Sequence, residues 1–184
     1  VMDDIVSQIG DDIKTVRGSL TRESLQLQCI PFNKASERLA WLAQTVPKLD
    51  GTGIIYTSTI RSSNQVARWL RNCGIDAEAY HSGLVSEDRE DLENDLINNN
   101  TKVLVATSAL GMGYDKPDLS FVIHYQSPGS AISYYQQVGR AGRSISKAYG
   151  VLLSGSEDDD IQKFFIDQAF PDERLVNRIL SAIE

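Results

Sequence analysis

The sequence predicts an α/β domain built on a mainly parallel sheet with helices on both faces. Short apolar runs of strand length recur at Gly53 to Tyr56, Lys102 to Ala106, Leu119 to Tyr125 and Tyr149 to Leu153. They read as buried strands, because strands covered on both faces are apolar throughout rather than alternating. Stretches with the 3.6-residue apolar period of an amphipathic helix fall between them. Such β-α-β-α alternation favours a parallel sheet, with ligand sites expected in the loops at the carboxyl ends of its strands.

Each element has its own local reason. Leu25 to Pro31 alternates sides and reads as an entering strand. Leu39, Leu42, Ala43 and Val46 follow the i, i+3, i+4, i+7 rule of a helix, and Val66, Trp69, Leu70 and Cys73 repeat it, with Gly74 as the stop. Ser86 before Glu87 and Asp88 looks like a helix N-cap with acids in the first turn, and Leu92, Leu96 and Ile97 supply that helix with an inner face. A further helix is expected around Ile132, Tyr134 and Tyr135, which place packing residues at helical spacing; base stacking is the alternative use of the tyrosines. Trp41 and Trp69 are expected in or near the core. The tail from Glu157 to Glu184 reads as two short helices split near Pro171. The resulting division is a leader over residues 1–24, a main domain over 25–156 and a helical extension over 157–184.

At 184 residues the chain can bury one substantial core. Its apolar runs fall far short of the roughly 20 residues that span a bilayer, so no membrane is expected. Two lone cysteines, Cys29 and Cys73, give neither a disulfide framework nor a CxxC zinc pair, which suits a reducing cytoplasm. The net charge of -7 argues against a free-standing nucleic-acid binder, which ordinarily presents a basic surface. Basic residues nevertheless outnumber acids between Thr101 and Gly150, so any polyanion site is expected on one face.

Two segments carry chemistry. In Ser133-Tyr134-Tyr135-Gln136-Gln137-Val138-Gly139-Arg140-Ala141-Gly142-Arg143, two arginines stand three residues apart between glycines. A guanidinium keeps its charge at any working pH and its planar fork matches phosphoryl oxygens. Glycines let backbone and ligand approach closely. The plain alternative is a turn with two solvated arginines. The second segment, Thr107-Ser108-Ala109-Leu110-Gly111-Met112-Gly113-Tyr114-Asp115-Lys116-Pro117-Asp118, offers hydroxyls for a nucleic-acid backbone and a carboxylate for ribose hydroxyls. An ordinary turn closed by Lys-Pro is its alternative. His81 and His124 lack a second His or Cys at ligand spacing and read as structural. Asp158 to Asp160 read as acids favoured by a helix dipole rather than as a metal site.

Taken together, these segments make the chain resemble the C-terminal motor lobe of superfamily 2 helicases, most closely the RecQ family of ATP-dependent DNA helicases. Gly53 to Arg61 is similar to motif IV, Ala79-Tyr80-His81-Ser82-Gly83-Leu84 to the YHxGL segment, Val105 to Asp118 to motif V and Tyr134 to Arg143 to motif VI. The resemblance covers nearly the whole chain and implies a three-layer RecA-like fold. It also implies an arginine finger at Arg143 with Arg140 as its partner, and nucleotide contacts from Gln136, Gly113 and Asp115. Backbone contacts to DNA are implied for Thr107 and Ser108, and from motif IV for Thr59 and Arg61. The chain departs from the family at Tyr114, where an aliphatic residue is usual, at Ser144, where an acid is usual, and at Ile60, which intervenes before Arg61.

No GxxxxGK[ST] and no DExH occurs in the chain, so ATP with Mg²⁺ is expected to be held mainly by an N-terminal motor lobe of the same protein. The opening Val1-Met2-Asp3-Asp4-Ile5-Val6 resembles the helix after motif III, so the chain is expected to be a piece of a longer protein, monomeric and inactive alone. The resemblance implies three-prime to five-prime movement and roles in DNA repair and recombination. An RNA helicase lobe of the same superfamily and a non-catalytic interaction module that kept the fold are the rival readings.

Overall fold

A computed structural model describes residues 22–111, 114–155, 157–169 and Arg178. Its centre is a six-stranded sheet in the order β1-β6-β5-β2-β4-β3, and every neighbouring pair runs parallel. The strands are β1 (Leu25–Phe32), β2 (Gly53–Tyr56), β3 (Ala77–Tyr80), β4 (Val103–Ala106), β5 (Phe121–His124) and β6 (Ala148–Gly155). The helices are α1 (Ala35–Thr45), α2 (Ile60–Asn72), α3 (Ser86–Ile97), α4 (Ala131–Val138) and α5 (Glu157–Ala169). A single 3₁₀ turn, Val46–Lys48, follows α1.

The pleat of the central strands divides the core into two layers, as alternate side chains on a strand must. Ile55, Val103, Val105, Phe121 and Ile123 point to one face, where Leu42 of α1 and Val66, Ala67 and Leu70 of α2 close over them. Ile54, Tyr56, Leu104, Ala106 and Val122 point to the other, against Leu96 of α3 and against Leu110, Tyr114, Leu119 and Ala141 of the connecting segments. The expected three-layer α/β architecture is therefore the observed one.

Local differences from the sequence reading have identifiable causes. Ala77–Tyr80 forms an extra strand beside β4, too short and too mixed in polarity to register as an apolar run. Val85 rather than Ser86 takes the N-cap position of α3, since its backbone is the extended one; Ser86 is already helical and its hydroxyl accepts from Arg89 instead. Ile97 and Trp69 are 44% and 39% exposed, so neither belongs to the core. The indole N–H of Trp69 donates to the Leu39 carbonyl and ties α2 to α1. The tail shows one helix over Glu157–Ala169, and Pro171 lies outside the described residues.

The path of the chain between β4 and β5 decides where the site lies. In an all-parallel sheet every connection must return from the carboxyl end of one strand to the amino end of the next. Between Ala106 and Phe121 no helix makes that return among the described residues; an irregular segment crosses the sheet face instead. After α4, residues 139–147 run along the same face to the amino end of β6.

Candidate functional site

Those two segments meet on one face of the sheet, toward the amino ends of β5 and β6. The Gly142 N–H donates to the Leu119 carbonyl at 3.0 Å and the Ser144 N–H to the Pro117 carbonyl at 2.8 Å. Arg140 donates through Nη1 to the Tyr114 carbonyl at 2.8 Å and through Nη2 to the Gly111 carbonyl at 2.9 Å. Arg143 Nη1 lies 2.6 Å from Asp115 Oδ1 in an exposed ion pair. Two loops far apart in sequence are thus laced into one wall, contrary to the expectation that this site sits beyond the carboxyl ends of the strands. The cause is the β4-β5 crossover, which has no helix among the described residues and carries Asp115 down the sheet face.

The wall borders an open cleft of about 480 Å³ lined by Arg22, Tyr114, Asp115, Gln136, Arg140 and Arg143, together with Tyr135 and Gly139. Of the five sequence-predicted nucleotide-site residues, four meet here; Gly113 lies outside the described residues. Tyr135, expected to pack, is 54% exposed on the cleft rim. The two arginines differ in attachment. Among the described residues, Arg140 is held by two carbonyls and its buried Nε has no partner, whereas Arg143 is held at its tip by another exposed side chain.

Gly142 has a φ of +74°, a left-handed conformation that glycine alone adopts without strain. A Cβ there would stand 2.9 Å from the Ala148 methyl and 3.0 Å from Ser24 Oγ. The sharp turn at Gly142 thus sets where Arg143 leaves the backbone. Sequence reasoning missed the brace on this turn. Arg22 Nη1 donates to the Gly139 and Ala141 carbonyls at 2.6 and 3.1 Å, and Ser24 Oγ donates to the Gly142 carbonyl at 2.8 Å. Both precede β1 in a stretch with no periodicity, so only the tertiary contact reveals them.

The second group of candidates gathers at the carboxyl ends of β2 and β4, which are adjacent in the sheet. The Thr57 N–H donates to the Ala106 carbonyl at 2.8 Å, which brings the loop of Thr59 beside that of Thr107. Thr107 is buried and its hydroxyl accepts from the Ala109 N–H at 3.3 Å, while Ser108 is exposed. Thr59 caps α2, its Oγ1 accepting from the Ser62 N–H at 3.0 Å, so that hydroxyl already has a structural use. Arg61, in the first turn of α2, is exposed. A cavity of about 280 Å³ opens beside Thr57, Ser58, Ser108, His124, Gln126 and Gln137.

His124 closes the floor of that cavity. It is fully buried, stacks on Tyr56 at 5.5 Å and shares a 2.9 Å hydrogen bond between Nε2 and Gln137 Oε1. An amide oxygen can only accept, so Nε2 carries the proton, and Nδ1 is left without a partner among the described residues. Burial pushes its pKa down to about 4, with the Gln137 bond acting weakly the other way. Burial likewise pushes the Tyr56 phenol up to about 12, against the opposing charge of Arg140. Both histidines are buried within the fold, and no group of three or more His, Cys, Asp or Glu capable of holding a metal exists among the described residues.

Residues 37–145 match the helicase conserved C-terminal domain. The chain belongs to that family. It is 34% identical over 175 residues to the ATP-dependent DNA helicase RecQ of Bacillus subtilis, covering 95% of this chain and 29% of that protein. It is 47% identical over 107 residues to the ATP-dependent DNA helicase Q1 of Pongo abelii, covering 58% of this chain and 16% of that protein. The RecQ resemblance read from the motifs thus stands, and it falls on a C-terminal helicase lobe. In fold, the chain is similar to Saccharomyces cerevisiae Dbp5 bound to RNA and ADP BeF3, with a TM-score of 0.69 at 22% identity over 92% of this chain and 46% of that one. The helicase lobe therefore spans under a third of the RecQ relative's length, and no described helix is long and apolar enough to cross a membrane.

Proposed function

We propose that this lobe is half of the motor of an ATP-dependent, RecQ-like DNA helicase. The observation that carries the proposal is the placement of Arg140, Arg143, Asp115 and Gln136 on one open cleft, on a face that has no phosphate-cradling loop of its own. Arg143 serves as the arginine finger, because its tip can leave Asp115 at little cost: an exposed ion pair contributes only about 0 to 1 kcal/mol. Arg140 holds the motif V backbone in register, and Asp115 accepts from the ribose hydroxyls once Arg143 has turned to the phosphates. ATP, with its Mg²⁺, is held mainly by the N-terminal lobe, which supplies the remaining acids.

Closure of the two lobes around nucleotide couples to the other end of the sheet through β4, whose far end carries Thr107 and Ser108. There the loops of β2 and β4 contact a DNA strand through its phosphates, so binding is indifferent to sequence and falls with salt. The setting is a reducing cytoplasm, consistent with two free cysteines. The test is ATP turnover by the full-length protein with DNA present. Arg143→Ala should lower it about 1,000-fold or more, the scale of an arginine finger; turnover within tenfold of wild type sinks the assignment. Unwinding of DNA against RNA duplexes by the same protein decides between DNA and RNA as substrate.

A further inference from the structure

Helix α2 is unlike the rest of this acidic chain. Its sequence, Ile60-Arg61-Ser62-Ser63-Asn64-Gln65-Val66-Ala67-Arg68-Trp69-Leu70-Arg71-Asn72, contains three arginines and no acid, in a protein of net charge -7. Ser63, Val66, Ala67 and Leu70 are buried against the sheet, which leaves the arginines outside. Most arginines of the lobe are occupied by the protein itself: Arg22, Arg38, Arg71, Arg89, Arg140 and Arg143 all donate to carbonyl, carboxylate or hydroxyl oxygens. Arg61 and Arg68 are exposed and have no hydrogen-bond or ion-pair partner among the described residues.

These two stand seven residues apart, two helical turns, so they share one face with a rise of about 10.5 Å between them. Exposed Gln65 lies between them on that face. Two guanidiniums at that spacing, on long flexible stems, can each meet a phosphate of one duplex strand. The helix begins at Thr59, within the loop already assigned to backbone contact, and runs from there along the sheet face opposite the nucleotide cleft. We propose that the outer face of α2 is a second phosphate-binding surface, on which Arg61 and Arg68 hold one strand of a DNA duplex arm lying beyond the motor's single-stranded track. The inference rests on the nucleic-acid reading of the preceding section. Charge complementarity calls for a polyanion, and continuity with the Thr59 loop favours duplex DNA over an acidic polypeptide, the other polyanion such a face could take.

The experiment measures binding of full-length protein to a partial duplex with a single-stranded tail, as log K against log salt, for wild type, Arg68→Gln, Arg68→Lys and the Arg61→Gln/Arg68→Gln pair. Each lost phosphate contact should flatten the slope by about 0.9. Affinity loss between 50 and 200 mM salt should therefore be about three- to fourfold smaller for Arg68→Gln than for wild type, and smaller again for the pair. Arg68→Lys should restore the wild-type slope, because a lysine ammonium also neutralises phosphate. The same variants on a bare single strand should show no change from Arg68→Gln. Equal slopes for wild type and Arg68→Gln on the partial duplex overturn the proposal. Binding of polyglutamate lost in Arg68→Gln, with the DNA slope unchanged, reassigns the face to acidic polypeptides and overturns it as well. DNA-stimulated ATP turnover by the wild type together with equal slopes for wild type and Arg68→Gln loses this inference alone; wild-type protein that binds no DNA loses the motor reading too.

Discussion

Arg38 and Asp158 form a buried ion pair, 1% and 4% exposed at their side chains and 3.2 Å apart, that joins α1 to α5. Arg38 also donates to the Tyr125 carbonyl at 2.7 Å and lies over the Tyr125 ring at 4.6 Å. Asp158 accepts from the N–H and hydroxyl of Ser127 and from the Gly155 N–H, so its lone pairs are well occupied. Breaking one side of such a pair typically costs about 3 to 5 kcal/mol, because the other charge stays buried without compensation. Arg38→Met should therefore destabilise the protein on that scale in urea unfolding, and a loss below about 1 kcal/mol would show that Ser127 and Gly155 suffice for Asp158. Replacing both partners with apolar residues should recover part of the loss.

The two motif VI arginines should separate cleanly by stability. Arg140 satisfies two backbone carbonyls of the crossover segment, and losing hydrogen bonds from a charged donor costs roughly 1.5 to 3 kcal/mol each at most. Arg143 is exposed, paired with exposed Asp115 and bonded through Nε to the Gly139 carbonyl at a long 3.5 Å, so Arg143→Ala should change stability by less than about 0.5 kcal/mol. Thermal unfolding of the two alanine variants checks this: Arg140→Ala should melt several degrees lower and Arg143→Ala near wild type, although both should lose ATP turnover. Equal melting temperatures would remove the bracing assigned to Arg140.

Gly142 offers a test that touches no functional group. A left-handed backbone costs a residue with a Cβ about 1 to 2 kcal/mol, and the crowding from Ala148 and Ser24 adds to it. Gly142→Ala should thus lower stability by about 1 to 3 kcal/mol and reduce ATP turnover in the full-length protein, since Arg143 follows directly on the distorted turn. A variant with wild-type turnover would show that the position of Arg143 does not depend on this turn.

His124 predicts a pH dependence with a definite sign. Its folded pKa is depressed to about 4, against roughly 6.5 unfolded, so the folded state favours the neutral ring. The unfolded chain binds the extra proton between those values, and stability falls as pH drops from about 6.5 toward 4, by about 3 kcal/mol in total. Above about 6.5 this residue's contribution is constant. Urea unfolding across that range should show the decline, and His124→Asn should flatten it relative to wild type. Parallel slopes in the two proteins would mean that other groups carry the acid sensitivity.

Much of the fold was legible in the chain because burial on both faces leaves an unmistakable composition. Ile54, Leu104 and Val122 sit in runs with no polar interruption, and only a parallel sheet between helical layers hides such runs completely. Gly74 ended its helix as expected, with φ of +78°. Arg140, Arg143 and Asp115 could likewise be picked out, since their residue types and spacing suit phosphate and ribose whatever the surrounding fold, whereas Gln136 came from the motif resemblance.

The sequence by itself determined the α/β class, the family and half of the residues that line the cleft. Only the tertiary structure decided which sheet face the cleft occupies, that Arg22 and Ser24 strap the turn at Gly142, and that Asp158, one acid in a run at a helix start, is the buried partner of Arg38. The physical reason is range. Periodicity, caps and residue chemistry are local, and a chain displays them along its own length. An ion pair across 120 residues, or a loop laid over a sheet face because its crossover lacks a helix, exists only once distant segments share the same space.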